Sequence, residues 1–70
     1  MEQDRFAVNL RALRQRQRIS GARLGELCGL NKNAVYRYEQ GSARPGLDAL
    51  VALADYFGVT LDQLVGRERS

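Results

Sequence analysis

Apolar residues recur along this chain at helical spacing in five short segments, separated by glycine-containing breaks. From Asp4 to Gln17 no glycine or proline intervenes, and Phe6, Leu10 and Leu13 stand at i, i+4 and i+7, one face of a helix. Asp4 suits the positive end of that helix's dipole, and Arg5, Arg11, Arg16 and Arg18 are left to solvent. Ser20 is a natural N-cap for a second, short helix through Cys28, whose apolar positions are Leu24, Leu27 and Cys28. That helix is intrinsically weak, since a glycine in a helix interior costs roughly 0.5–1 kcal/mol relative to alanine. Gly21, Gly25 and Gly29 therefore need a reason: Gly29 can end the helix with positive φ, and Gly25 can let another helix cross closely.

Asn31 is the N-cap candidate for a third helix from Lys32 to about Gln40, with Gly41 as its stop. Val35 and Tyr38 share its inward face, while Lys32, Asn33, Tyr36 and Arg37 project elsewhere. Residues 41–46 are loop by composition. Leu47 to Phe57 is a fourth helix with Leu47, Leu50, Leu53, Ala54 and Phe57 inward, stopped by Gly58. Thr60 and Gln63 form a capping-box pattern that opens a short fifth helix carrying Leu61, Leu64 and Val65. The expected architecture is all-α: one compact five-helix domain over residues 1–70, with a core from about 4 to 65 and a frayed tail from Gly66 onward.

Composition narrows the possible chemistry. The 70 residues contain one cysteine and no histidine, so neither a disulfide within the chain nor the usual zinc ligand sets are available to brace a small core. No metal or cofactor is expected, and helix packing must carry the fold. Cys28, set among apolar residues, suits a reduced cytoplasmic interior, and the first residues lead into no apolar run of signal-peptide or membrane-spanning length. Enzyme chemistry lacks its common parts, since there is no imidazole and no paired-carboxylate pattern.

The net charge of +3 conceals an uneven distribution. Between Arg5 and Arg44 there are nine basic residues against Glu26 and Glu39, a local excess of +7, whereas the flanking segments are acidic. Such a stretch is the electrostatic footprint of a phosphate-binding surface. Within it, residues 21 to 40 form two short helices joined by a glycine-containing turn, the helix-turn-helix pattern. Leu24, Cys28, Leu30, Val35 and Tyr38 would pack this pair together.

The chain resembles the Cro and phage-repressor helix-turn-helix proteins, also called the xenobiotic-response-element family. The resemblance runs from about Leu10 to Val65. It rests on Leu10-x-x-Leu13-Arg14, Ile19-Ser20, Leu24, Gly29-Leu30-Asn31, Val35, Arg37-Tyr38-Glu39-Gln40-Gly41, Pro45, Leu50, Ala54, Phe57-Gly58-Val59 and Leu61-Asp62-Gln63-Leu64. It implies a lambda-repressor-like fold and sequence-specific binding of double-stranded DNA by a transcriptional regulator, acting as a repressor. The third helix then lies in the major groove, with Lys32, Asn33, Tyr36 and Arg37 at base edges or nearby phosphates. These residue types suit the task. Lysine and arginine donate to guanine O6 and N7, asparagine pairs with adenine, and a tyrosine ring can touch a thymine methyl.

The resemblance further implies a partly buried ion pair between Arg14 and Glu39. By charge and position, Arg11, Arg18 and Arg44 are phosphate-contact candidates, joined by Asn31 and by the backbone N–H groups at Gly21. Two departures from the family pattern stand out. Gly21 replaces the glutamine whose side chain reaches a phosphate in most relatives, and Gly25 replaces an alanine. A homodimer on a pseudo-palindromic operator is expected because one recognition helix covers few base pairs. The competing expectation is a protein-interaction module of antitoxin or repressor-partner type, in which the same fold binds another protein and DNA contacts are weak or lost.

Overall fold

A computed structural model describes residues 5–66, and these form α1 (Phe6–Arg16), α2 (Gly21–Leu27), α3 (Ala34–Gln40), α4 (Leu47–Phe57) and α5 (Leu61–Val65). The residues described contain no strand. Asp4, proposed above for the dipole of α1, and tail residues 67–70 lie outside the described residues.

All five helices supply the core: Phe6 and Leu10 from α1, Leu24 from α2, Val35 from α3, Leu53 and Ala54 from α4, and Leu64 from α5. Leu10, Leu24, Val35, Leu53 and Leu64 are wholly shielded from solvent. Each such side chain stabilises the fold by about 1.5–3 kcal/mol through burial. Phe6 meets Tyr38 edge to face, with ring centroids 5.8 Å apart, which fixes α3 against the start of α1.

Local signals set the helix ends. The Ser20 hydroxyl accepts from the Arg23 N–H at 3.0 Å and caps α2. Thr60 and Gln63 form the reciprocal capping box of α5, with hydrogen bonds of 3.0 and 2.8 Å. Behind α2, the Leu30 N–H donates to the Gly25 carbonyl at 2.7 Å and the Gly29 N–H to that of Glu26 at 3.2 Å. This pair of bonds is a Schellman motif, and it requires Gly29 to sit at φ +71°. Gly29→Ala should therefore cost about 1–2 kcal/mol in urea unfolding, because an L side chain is disfavoured in the left-handed region. No measurable loss would mean that the turn relaxes to another conformation.

Four expectations need correction. Helix α3 begins at Ala34, two residues later than expected, because the Asn31 carbonyl takes the Ala34 N–H and its side chain takes the Asn33 N–H, both at 2.9 Å. Asn31 thus closes a turn over residues 31–34 instead of capping the helix directly, so Lys32 and Asn33 precede the first helical residue. Leu47 is 67% exposed, not inward. At the first position of α4 its Cα–Cβ bond tilts toward the helix N-terminus and overhangs the end of the core. Gly25 approaches the turn, not a crossing helix. A Cβ there would stand 3.0 Å from the Asn31 carbonyl oxygen, so that backbone would have to yield slightly for alanine. Finally, Gly66 is no frayed end: it closes α5 with φ +77°, and a Cβ there would lie 2.9 Å from both Arg5 Cβ and Asn9 Nδ2.

Helix α5 is tied back to α1 by the Arg5 N–H, which donates to the Val65 carbonyl at 2.7 Å, and by the Asn9 amide, which donates to the Leu64 carbonyl at 3.2 Å. Leu27 and Leu61, read above as apolar helix positions, are exposed. Cys28 is half-buried, with its sulfur 3.8 Å from the Ala52 carbonyl oxygen, and burial pushes its thiol pKa up. That shift opposes the thiolate and suits a packing role for the residue.

Candidate nucleic-acid interface

The helix-turn-helix is anchored to the rest of the fold through α3. The inner side of α3 is held at three points: Val35 is buried, Tyr38 packs on Phe6, and Glu39 takes a two-pronged hydrogen bond from Arg14. In that pair Arg14 Nε donates to Glu39 Oε2 at 2.6 Å and Nη2 donates to Oε1 at 2.9 Å. The remaining nitrogen, Nη1, donates to the Ile19 carbonyl at 3.0 Å. The side chains are 19% and 9% exposed, so the pair is largely withdrawn from water.

The Glu39 hydrogen bond is the main cause holding the Arg14 guanidinium above its ordinary pKa; burial works against the shift and the Glu39 charge adds to it. One guanidinium thereby joins three segments: α1, the α1–α2 turn and the end of α3. The turn needs such support, since Arg18 sits there at φ +57°, a conformation uncommon for a residue with a side chain. Orientation of α3 relative to α1 and α2 follows from this network.

With the inner side anchored, the outer side of α3 is free to present polar groups. Asn31, Lys32 and Asn33 in the turn and Tyr36, Arg37 and Gln40 on the helix are all exposed, Tyr36 by 61%. Arg44 is exposed on the loop after α3. Asn31, Arg37 and Arg44, with Ala34, Tyr38 and Ala43, line an open cavity of about 270 Å³. Arg11 lies one turn before Arg14 on the same side of α1, and Arg18 is exposed in the turn that follows the helix. Gly21 opens α2 before its first intrahelical bond, from the Leu24 N–H to the Ser20 carbonyl; the Arg23 N–H is taken by the Ser20 hydroxyl, and the Gly21 and Ala22 N–H groups precede the helical bonds. A Cβ on Gly21 would meet Val35 only at ordinary contact distance, so packing does not demand glycine there.

Sequence reasoning missed Gln40. Its side-chain amide donates to the Tyr36 hydroxyl at 2.9 Å, four residues back on the same face. The signal was present, as a polar pair at i and i+4. Among the described residues, no group of three or more histidine, cysteine or acidic side chains is placed to hold a metal ion, and no helix is long and apolar enough to cross a membrane.

An anchored helix behind a tight glycine turn, with a polar outer face and arginines around it, defines a helix-turn-helix module. Residues 5–65 match a family described as a helix-turn-helix domain, and the chain belongs to that family. Its fold is that of the Cro and phage-repressor proteins, as the resemblance implied.

The chain is similar to the HTH-type transcriptional regulator AnsR of Bacillus subtilis (strain 168), 42% identical over 60 residues, which are 86% of this chain and 52% of that protein. A crystal structure of a transcriptional regulator from Listeria innocua superposes with a TM-score of 0.89 at 30% identity, over 99% of this chain and 64% of that one. The P22 c2 repressor, solved in complex with a synthetic operator, shares the fold with a TM-score of 0.83 at 24% identity, over 97% of this chain and 100% of that one. The chain thus spans about half the length of AnsR and under two thirds of the Listeria protein. These relatives are transcriptional regulators, not enzymes.

Proposed function

We propose that this chain binds double-stranded DNA sequence-specifically as part of a cytoplasmic transcriptional repressor, with α3 and the turn before it in the major groove. The observation that carries this reading is the two-sided character of α3. Val35, Tyr38 and Glu39 lock its inner side, while Tyr36 and Arg37, with Lys32 and Asn33 just ahead, face outward with hydrogen-bonding groups. A rigidly held polar helix face suits base-edge readout, in which each well-made contact discriminates by about 1–3 kcal/mol. Arg11, Arg18, Asn31 and Arg44, with the Gly21 backbone N–H, are assigned to phosphates around that helix. Because one such helix covers few base pairs, two copies of the chain bind a pseudo-palindrome.

Selection of bound sequences from random duplex DNA tests the whole reading. Two half-sites in inverted order, about one helical turn apart, are the expected result. Recovery of no enriched sequence would remove the function proposed.

Arg44 supplies a narrower test. Arg44→Ala should weaken binding to the selected operator and to unrelated duplexes by similar factors, since a phosphate contact carries no direct sequence information. Titrations at several salt concentrations should show the slope of log K against log salt falling by about one unit. An unchanged slope takes Arg44 out of the interface.

A further inference from the structure

We propose that Gln40 is a positioning residue for recognition: it holds the Tyr36 hydroxyl so that Tyr36 donates a hydrogen bond to an acceptor on a base edge. The proposal rests on the reading of α3 as the base-reading helix. It starts from the 2.9 Å hydrogen bond by which Gln40 Nε2 donates to the Tyr36 hydroxyl across one helical turn.

Tyr36 is the most exposed aromatic residue of the helix-turn-helix, and a phenol standing alone on a helix surface samples several rotamers. The amide of Gln40, one turn further along α3, holds the hydroxyl of that ring at 2.9 Å. A phenol has one O–H to donate and lone pairs to accept with. When the amide occupies a lone pair, the proton remains for an outside partner, and it leaves from a fixed place.

In the major groove the acceptors open to such a donor are guanine O6 and N7, adenine N7 and thymine O4. This gives Tyr36 a polar role beyond contact with a thymine methyl. Ordering the ring before binding also avoids a loss of rotamer freedom equivalent to about twofold to tenfold in affinity. Neither side chain belongs to the core, which at α3 is made by Val35 with Tyr38 packed beside it, so the pair has no evident work to do in folding.

The test uses the full chain and its selected operator, with duplexes substituted at each base pair in turn. Parent, Tyr36→Phe, Gln40→Ala and the double variant are compared by competition binding, with thermal unfolding alongside. Tyr36→Phe and Gln40→Ala should each reduce discrimination at one and the same base pair by about threefold to tenfold, the worth of a single hydrogen bond. The double variant should lose no more than either single one, preferences at other positions should stay as in the parent, and the melting temperatures should coincide.

The proposal fails if Gln40→Ala leaves that base pair as well read as before, if it alters a different position, or if the two losses multiply. It fails equally if Tyr36→Phe changes nothing. A parent chain that prefers no sequence would sink the reading of α3 itself, whereas a selective parent with a neutral Gln40→Ala would sink the Gln40 role alone.

Discussion

Replacing Glu39 with alanine should lower the stability of the fold by about 3 kcal/mol, at the lower end of the roughly 3–5 kcal/mol lost when one member of a buried ion pair is removed. The lower end applies because Arg14 keeps some access to water and keeps its hydrogen bond to the Ile19 carbonyl. What remains is a largely withdrawn guanidinium with two donors that no longer meet a carboxylate. A domain of this size holds only about 4–10 kcal/mol of stability in all. The melting temperature should consequently fall by about 12–24 °C.

The same physics predicts asymmetry between breaking the pair and replacing it. Arg14→Met with Glu39→Leu removes both charges together and should recover most of the loss, since two withdrawn charges add little net stability over apolar groups of similar size. Urea unfolding of the parent, single and double variants decides the matter. A change within about 0.5 kcal/mol for Glu39→Ala, the range of ordinary surface substitutions, would show that the pair does not brace α3.

Changing Lys32, Asn33 and Arg37 together to alanine should remove most of the sequence preference and leave the fold intact. All three side chains are exposed. Asn33 supports its turn through the backbone alone, its N–H donating to Asn31 Oδ1 and its carbonyl accepting from the Arg37 N–H at 3.1 Å, and alanine keeps both bonds. Three lost base contacts at about 1–3 kcal/mol each can remove most of a specific-to-nonspecific gap of about 4–10 kcal/mol. Residual, salt-sensitive binding should persist through Arg11, Arg18 and Arg44. Circular dichroism reports the fold, and competition between the selected operator and scrambled DNA reports the preference. A helical triple variant that favours the operator as strongly as the parent would move the reading surface away from α3 and its turn.

The features that were legible in the amino-acid sequence are those whose physical cause lies within a few residues. The Ser20 cap, the Thr60–Gln63 box and the left-handed glycines at 29, 41 and 58 close hydrogen bonds spanning three to five residues, so the residue types alone announce them. The apolar stripe of α4 was equally plain from Leu50 through Leu53 and Ala54 to Phe57. The Arg14–Glu39 pair was reached only through the family resemblance, since 25 positions separate its members and no local pattern joins them.

By itself, then, the sequence determined five helices, the glycine stops at 29, 41 and 58, the inward stripe of α1 and the basic helix-turn-helix at residues 21–40. Tertiary structure decided which ends of those helices the core reaches: Leu47 overhangs it, while Gly66 lies where a Cβ would crowd Arg5 and Asn9. It also decided that Gly25 faces the Asn31 carbonyl and that Gln40 turns toward Tyr36 among the partners open to an exposed amide. Hydrophobic periodicity states which face of a helix is apolar; it does not state where along its length another helix lies, because burial is set by neighbours distant in sequence.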